Sequence, residues 1–316
     1  MEYIQIAGVS KPVSRLIKGS DYFRPDVYGK VCDNLDAYLE IGGNTIDTAY
    51  IYCGGESEKV IGRYMRERNN RDQLVILTKG AHHNQDGPRV NKAAIDADLK
   101  ESLERLQTDS VELYALHRDD ENVPVGEILE ALNAHLEAGR VQSIGASNWT
   151  WRRIAEANEY AASHGLTGFS FSSPNLSLAK VNEPFWPGCV SADEATCDWH
   201  ERTGMPLLSW SSQARGFFTG RFTPEVRDNA ELVRVFYNDA NWERLARAEQ
   251  LAATKGASVI QIALAYVLQQ PFPTCALIGA QNLAELKSCE EGAGIKLTAA
   301  EREWLDLRRD ALTLQA

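Results

Sequence analysis

The sequence has no long apolar run, no cysteine pair at metal-ligand spacing and no basic cluster, and each absence removes a class of function. Nowhere in the 316 residues do roughly 18 apolar side chains follow one another, so no membrane span is expected. The six cysteines (Cys32, Cys53, Cys189, Cys197, Cys275 and Cys289) are scattered without a Cys-x-x-Cys. Reduced thiols are the expectation, with neither a disulfide frame nor a metal site. Lys and Arg number 33 against 44 Asp and Glu, a net charge of -11, and no Lys/Arg-rich run interrupts that balance. This works against a nucleic-acid partner or an anionic membrane surface. The opening Met-Glu-Tyr-Ile-Gln-Ile lacks the basic and apolar segments of a signal peptide, which makes a cytoplasmic location the expectation. Also missing is a Gly-x-Gly-x-x-Gly after the first strand, the mark of the open doubly wound dinucleotide folds.

What is present is a rhythm. Residues 3–8 and 13–18 are short alternating runs around Ser10-Lys-Pro12, which read as a hairpin or, for the second run, as the first strand of a sheet. Val31, Leu35, Tyr38 and Leu39 then recur at helical spacing until Gly42-Gly43. Strand-like runs follow at 44–46, 73–77, 111–116, 141–144, 168–171, 206–209 and 275–278. Helical patterns lie between most of them: Val60, Ile61, Tyr64 and Met65 share a face, as do Ile95, Leu99, Leu103 and Leu106, and Ile128, Leu129, Leu132 and Leu136. Residues 259–268 are apolar nearly all round, as in a helix buried between layers. Strands separated by helices pair in parallel. Adding the run at 13–18 gives eight, so the expected fold is α/β, a single (β/α)8 TIM barrel domain over residues 1–316. Two long inserts, 175–193 after strand six and 211–239 after strand seven, are expected as functional loops on the C-terminal face.

Four polar groups stand just past the strand ends. Asp47 and Tyr52 follow the second strand, Lys79 the third and His117 the fourth. A free phenol titrates near about 10, and a neighbouring ammonium lowers that value. Lys79 is placed to supply that field, Asp47 to hold Lys79 charged, and His117 to hydrogen-bond an oxygen that receives the proton. The set suits protonation of a carbonyl oxygen while something else attacks its carbon. Taken singly, each residue reads more simply as a capping Asp, a core Tyr, a solvated Lys or a structural His. Four at three successive strand ends favour the chemical reading.

These positions and their surroundings resemble the aldo-keto reductase family. The resemblance rests on Asn44-Thr-Ile-Asp-Thr-Ala-Tyr-Ile-Tyr52, Gly55-Glu-Ser-Glu58, Leu77-Thr-Lys79, Leu116-His117-Arg118 and the stretch from Gly139 to Asn148. Ser209-Trp-Ser211, Gly216-Phe-Phe-Thr-Gly220 and residues 261–268 extend it, in family order, over about residues 13 to 290. The resemblance implies reversible hydride transfer between a nicotinamide dinucleotide, NADP (NADPH) by preference with NAD possible, and a small-molecule carbonyl or its alcohol. It makes Tyr52 the proton donor, tuned by Lys79 and Asp47, with His117 orienting the carbonyl. Ser147 and Asn148 would bind the nicotinamide carboxamide and Trp210 would stack on its ring, with Gly19 and Ser173 alongside. The loop from Ser211 to Arg221, with Gln213 and Gly216, resembles the segment that straps down the pyrophosphate. Gly279, Ala280 and Gln281, ahead of a helix near Asn282, match the adenosine-phosphate end, where a helix N-terminus suits an anion.

The departures are specific. Ser172-Ser173-Pro174 stands where relatives often carry a Gln, Gln281 is neutral where an Arg or Lys often meets a 2′-phosphate, and Ser288-Cys289 replaces a Glu-Asn pair. A preference for NADP over NAD therefore rests on family habit. Candidate substrate-pocket residues are Tyr22, Arg118, Trp149 and Trp186, with Phe23, His82-His83 and Asp119-Asp120 nearby, a mixture suited to a sugar or sugar derivative. The alternative is a nucleotide-sensing or regulatory subunit on the same fold. Nothing in the sequence sets an oligomeric state.

Overall fold

The computed structural model describes residues 1–312. Eight parallel strands close into a barrel: β1 (Leu16–Gly19), β2 (Thr45–Asp47), β3 (Val75–Gly80), β4 (Val111–Leu116), β5 (Val141–Ser147), β6 (Phe171–Ser173), β7 (Leu207–Ser209) and β8 (Thr274–Ile278). Closure comes from β8 pairing with β1, Ala276 opposite Leu16 and Ile278 opposite Lys18. Around it run α1 (Tyr28–Glu40), α2 (Glu56–Arg68), α3 (Lys92–Leu106), α4 (Val125–Glu137), α5 (Trp151–His164), α6 (Glu194–Thr203), α7 (Ala230–Phe236), α8 (Asp239–Lys255), α9 (Val259–Leu268), α10 (Leu283–Gly294) and α11 (Ala299–Leu305). No single helix among the described residues is long and apolar enough to cross a membrane.

The period of two along each strand decides which side chains fill the barrel. Ile17, Val75, Leu77, Leu113, Ala115, Phe171, Leu208, Cys275 and Leu277 pack together inside it, while Leu16, Ile76 and Tyr114 face the helices. Helix α9 is buried from Gln261 to Leu268 and starts on a Ser258–Gln261 capping box, which explains a pattern apolar on every side.

The ends of β2, β3, β5, β7 and β8 lie one to three residues from those read in the sequence, and two further strand assignments differ, each for a local reason. The run at 13–18 is two strands: Val13–Ser14 pairs antiparallel with Tyr3–Ile4, and Leu16–Gly19 enters the barrel. Arg15 marks the joint, with Nε donating to the Thr274 carbonyl at 3.0 Å and Nη1 to Glu2 at 2.6 Å. The hairpin and the first-strand readings therefore hold together. The sixth strand lies at 171–173, not 168–171, because the Asn158 carboxamide on α5 takes both backbone groups of Phe169. The hairpin sends Ile6, Val9 and Val13 into the barrel interior from below, so the N-terminal end is plugged.

Candidate active site

The C-terminal ends of β2 and β3 bring the first three groups together. Backbone pairing runs past the formal end of β2, Thr48 N–H to the Leu77 carbonyl and Tyr50 N–H to the Lys79 carbonyl, both at 2.8 Å. Asp47 and Lys79 thus point from adjacent strands. Lys79 Nζ donates to Asp47 Oδ1 at 2.5 Å, to the Thr48 carbonyl at 3.0 Å and to Tyr52 Oη at 3.2 Å. Both charged side chains are buried. Burial pushes the Asp47 carboxyl up, against the pull of Lys79. Burial first and the Asp47 charge second push the Tyr52 phenol well above its ordinary range, while Arg118 pulls it down. The direction expected from the sequence, a phenol lowered by Lys79, is reversed: the ammonium is already matched by Asp47, and desolvation of a phenolate dominates.

A bracket built by the Gly55-Glu-Ser-Glu58 stretch fixes the Tyr52 loop. Cys53, Gly54 and Gly55 all take left-handed backbone angles, and a Cβ on Gly55 would meet the Arg105 guanidinium at 2.5 Å. Arg105 reaches from α3 to the Tyr50 carbonyl at 2.8 Å and to the buried Glu58 at 3.2 Å. Glu58 also accepts from Thr78 Oγ1 at 2.7 Å, and Ser57 Oγ donates to the Ser20 carbonyl at 2.8 Å. One short motif therefore ties the ends of β1, β2 and β3. Glu58→Ala leaves Thr78 without its acceptor and Arg105 with Glu101 as its one remaining carboxylate among the described residues, and is expected to lower unfolding free energy by about 2 kcal/mol. Urea unfolding measures it, and a loss below about 1 kcal/mol would show that the loop is held otherwise.

His117 continues β4, its N–H donating to the Gly80 carbonyl at 2.8 Å, and its ring stands edge-on to Tyr52 with centroids 5.7 Å apart. Burial, then Lys79 and Arg118, hold this imidazole well below its usual range. Its Nδ1 is buried without a hydrogen-bond partner among the described residues. His82 packs on it at 4.9 Å and is itself lowered to about 4, mainly by burial.

The residues expected at the cofactor form two groups. Ser147 Oγ donates to the Ser173 carbonyl at 2.9 Å, and Ser173 Oγ to the Leu208 carbonyl at 2.7 Å. Asn148, at a left-handed φ of 61°, donates to the His117 carbonyl and to Ser147 Oγ and accepts from Trp210 Nε1 at 3.1 Å and Val190 N at 3.2 Å. An Asn side chain has two donors and two acceptor sites, so this carboxamide is saturated within the protein. Contact with a nicotinamide would require exchanging one of these bonds. The second group lines the turns after β7 and β8. Ser211 and Gly216 have left-handed angles, Gln213 accepts weakly from Cys289 Sγ at 3.5 Å, and exposed Arg221 folds back to Thr219. Gly19 lies against Ile278, where a Cβ would approach the carbonyl to 3.3 Å, and Gly279 opens to free space. Gln281 is exposed, and its N–H is taken by Glu285 Oε2 at 2.7 Å, a carboxylate of the chain's own at the start of α10.

The four expected pocket residues do not gather in one place. Tyr22 Oη donates to the Ala280 carbonyl at 2.8 Å, so it belongs to the turn after β8. Trp149 is buried between barrel and helices, edge-on to Phe169, and its indole N–H supports the Arg118 carbonyl from behind. Trp186, 42 % exposed, does reach the mouth, 6.2 Å from Trp210 and under the Arg215 guanidinium. Arg118 is buried beside Tyr52 and His117. The sequence reading missed Lys18, fully buried on β1, which donates to Tyr22 Oη at 2.6 Å and to the Ala280 carbonyl. Burial lowers it to about 7. Its one signal was a lysine inside the apolar run Leu16-Ile-Lys. A groove lined by Lys92, Asp96, His135 and Arg140 lies outside the barrel between α3 and α4 and contains none of these groups.

The closed parallel barrel and the polar groups at its C-terminal mouth define a (β/α)8 enzyme. The chain belongs to the aldo/keto reductase family, whose model matches residues 24–306. It is 29% identical to the aldo-keto reductase YhdN of Bacillus subtilis, over 96% of this chain and 92% of that protein. It is 32% identical to the putative aryl-alcohol dehydrogenase AAD14 of Saccharomyces cerevisiae (86% and 74% covered) and 30% identical to a norsolorinic acid reductase of Aspergillus flavus (86% and 69%). Among solved structures, the thermostable aldo-keto reductase Tm1743 in complex with epalrestat shares the fold, with a TM-score of 0.76 and 21% identity over 97% of this chain and 99% of that one. Membership makes the protein an NAD(P)-dependent oxidoreductase that reduces small-molecule carbonyl compounds.

Proposed function

We propose that the chain works in the cytoplasm as one barrel domain that interconverts an aldehyde or ketone and its alcohol, with Tyr52 as the proton donor and acceptor. One observation carries this reading: Lys79 Nζ bridges Asp47 Oδ1 and Tyr52 Oη in a buried setting. A bound nicotinamide supplies the hydride. The open position at Gly279, the left-handed Gly216 and the buried hydroxyls of Ser20 and Thr48 at the ends of β1 and β2, without partners among the described residues, fit such a group. The raised phenol keeps its proton until a carbonyl oxygen needs it. Once the proton leaves, Lys79, 3.2 Å away and held by Asp47, stabilises the phenolate. His117, kept neutral, hydrogen-bonds the same oxygen without competing for the proton.

Trp186, exposed at the mouth and 6.2 Å from Trp210, offers a flat face that suits an aromatic ring or a sugar face. The name of the yeast relative, an aryl-alcohol dehydrogenase, also points to aromatic substrates. Titration with NADPH and NADH under tryptophan fluorescence, followed by turnover of an aldehyde panel, tests the reading. Binding of either cofactor with no turnover across the panel would instead favour a regulatory subunit.

On cofactor choice, the family usually takes NADPH, and this chain modifies the anchor. Gln281 is neutral and Glu285 already occupies the N-terminal turn of α10. NADH is therefore expected to be accepted alongside NADPH. Glu285→Gln removes a competing anion there and should tighten NADPH binding relative to NADH by up to about five-fold, the scale of a charge at a helix N-terminus. Paired dissociation constants for the two cofactors measure the change.

A further inference from the structure

Most interior cations among the described residues come with carboxylates. Lys79 has Asp47, Arg89 has Asp98 at 2.6 Å, Arg105 has Glu58, and Arg153 has Asp119 at 3.5 Å. Arg118 does not. It is 7 % exposed, and no carboxylate lies within ion-pair distance of it among the described residues. Among the described residues only Nη1 of its guanidinium is used, on the His117 carbonyl at 2.8 Å, and Nε is buried without a partner. Asp119, the next residue, is drawn away by Arg153, and Asp120 turns back to Asn122.

The groups that do face Arg118 are neutral. Tyr52 and Cys189 are both pushed up by burial, and His82 and His117 are both pushed down. Gly188 roofs the stem, at a φ of 73° and with its Cβ position 3.2 Å from Arg118 Cδ. Lys18, also buried without a carboxylate, can shed its proton, but a guanidinium cannot. A buried cation lacking its counter-ion is unfavourable by several kcal/mol. It sits next to the proposed proton donor, in a protein whose net charge is -11.

We propose that Arg118 is a specificity-determining residue that binds a carboxylate carried by the carbonyl substrate, so that the preferred substrates are aldehyde or keto acids. A planar guanidinium with free N–H groups matches a carboxylate in charge and in geometry. The inference rests on the reductase reading given above and extends it to the substrate's charge.

The test compares 4-carboxybenzaldehyde with benzaldehyde in the wild type, Arg118→Met and Arg118→Lys. The wild type is expected to favour the carboxylated aldehyde by about 10- to 100-fold in kcat/KM, mostly through KM. Arg118→Met should bring the ratio close to one, and Arg118→Lys should retain part of it. A parallel fluorescence titration with benzoate, using Trp186 and Trp210 as reporters, needs no turnover. Its affinity should fall about ten-fold or more in Arg118→Met. Equal kcat/KM for the two aldehydes in the wild type, or benzoate binding that is indifferent to Arg118→Met, overturns the proposal. If neither aldehyde reacts, the reductase reading fails on that count, while the benzoate titration still decides whether Arg118 holds a carboxylate.

Discussion

Replacing Tyr52 by phenylalanine is expected to lower kcat by about a hundred- to ten-thousand-fold, the range lost with a positioned proton donor. Cofactor affinity should change little, because the hydroxyl's one partner among the described residues is Lys79. Pre-steady-state and steady-state turnover with a well-bound aldehyde, beside a cofactor titration, separates the two effects. Near-normal turnover in Tyr52→Phe would remove the phenol from the mechanism. The pH profile offers a second reading. Burial and the two nearby cations keep His117 uncharged well below the usual histidine range. The rate should therefore show no break near pH 6.5 from that residue, about where an unperturbed imidazole titrates.

Lys79→Met is expected to damage folding as well as chemistry. It strands the Asp47 carboxylate, already raised by burial, with no ammonium beside it. Breaking a buried pair from one side costs about 3–5 kcal/mol. The double change Lys79→Met/Asp47→Asn removes the stranded charge and should recover most of that stability, with kcat still depressed. Urea midpoints for the single and double variants, read beside their kcat values, distinguish the two roles. Equal stability of single and double variants would mean that Asp47 gives up its charge at little cost.

Much of the barrel was legible because its cause is local. Alternation in 111–116 and 206–209, with amphipathic helices between, needs no knowledge of distant residues. The two larger departures each turn on one side chain whose partner the alternation does not reveal: Asn158 claims Phe169, and Arg15 divides what reads as one strand. The same split holds at the mouth. Asp47, Tyr52, Lys79 and His117 could be singled out from their positions after strands, and the structure brings them within reach of one another. What sequence order hides is how each is partnered. Glu58 gains its role only when Arg105 crosses from α3. Asn148 looks like a free carboxamide until Trp210 and Val190 fill its oxygen. The Tyr52 phenol looks easy to ionise beside a lysine until burial is known. Arg118 looks like one charge in the acidic stretch Arg118-Asp-Asp-Glu121 until Arg153 takes Asp119.

The plug at the foot of the barrel also bears on how this chain tolerates change. Ile6, Val9 and Val13 close one pole with hydrocarbon, so the polar groups of the candidate site are reached from the other. The two poles therefore answer to different pressures. A substitution among residues 3–14 should register as expression or thermal robustness and leave selectivity untouched. One at Trp186 or Arg118 should register first as a changed choice of substrate. A mutational library scored for both properties should divide along the barrel axis, which makes the lower pole the place to add robustness without retuning the catalyst.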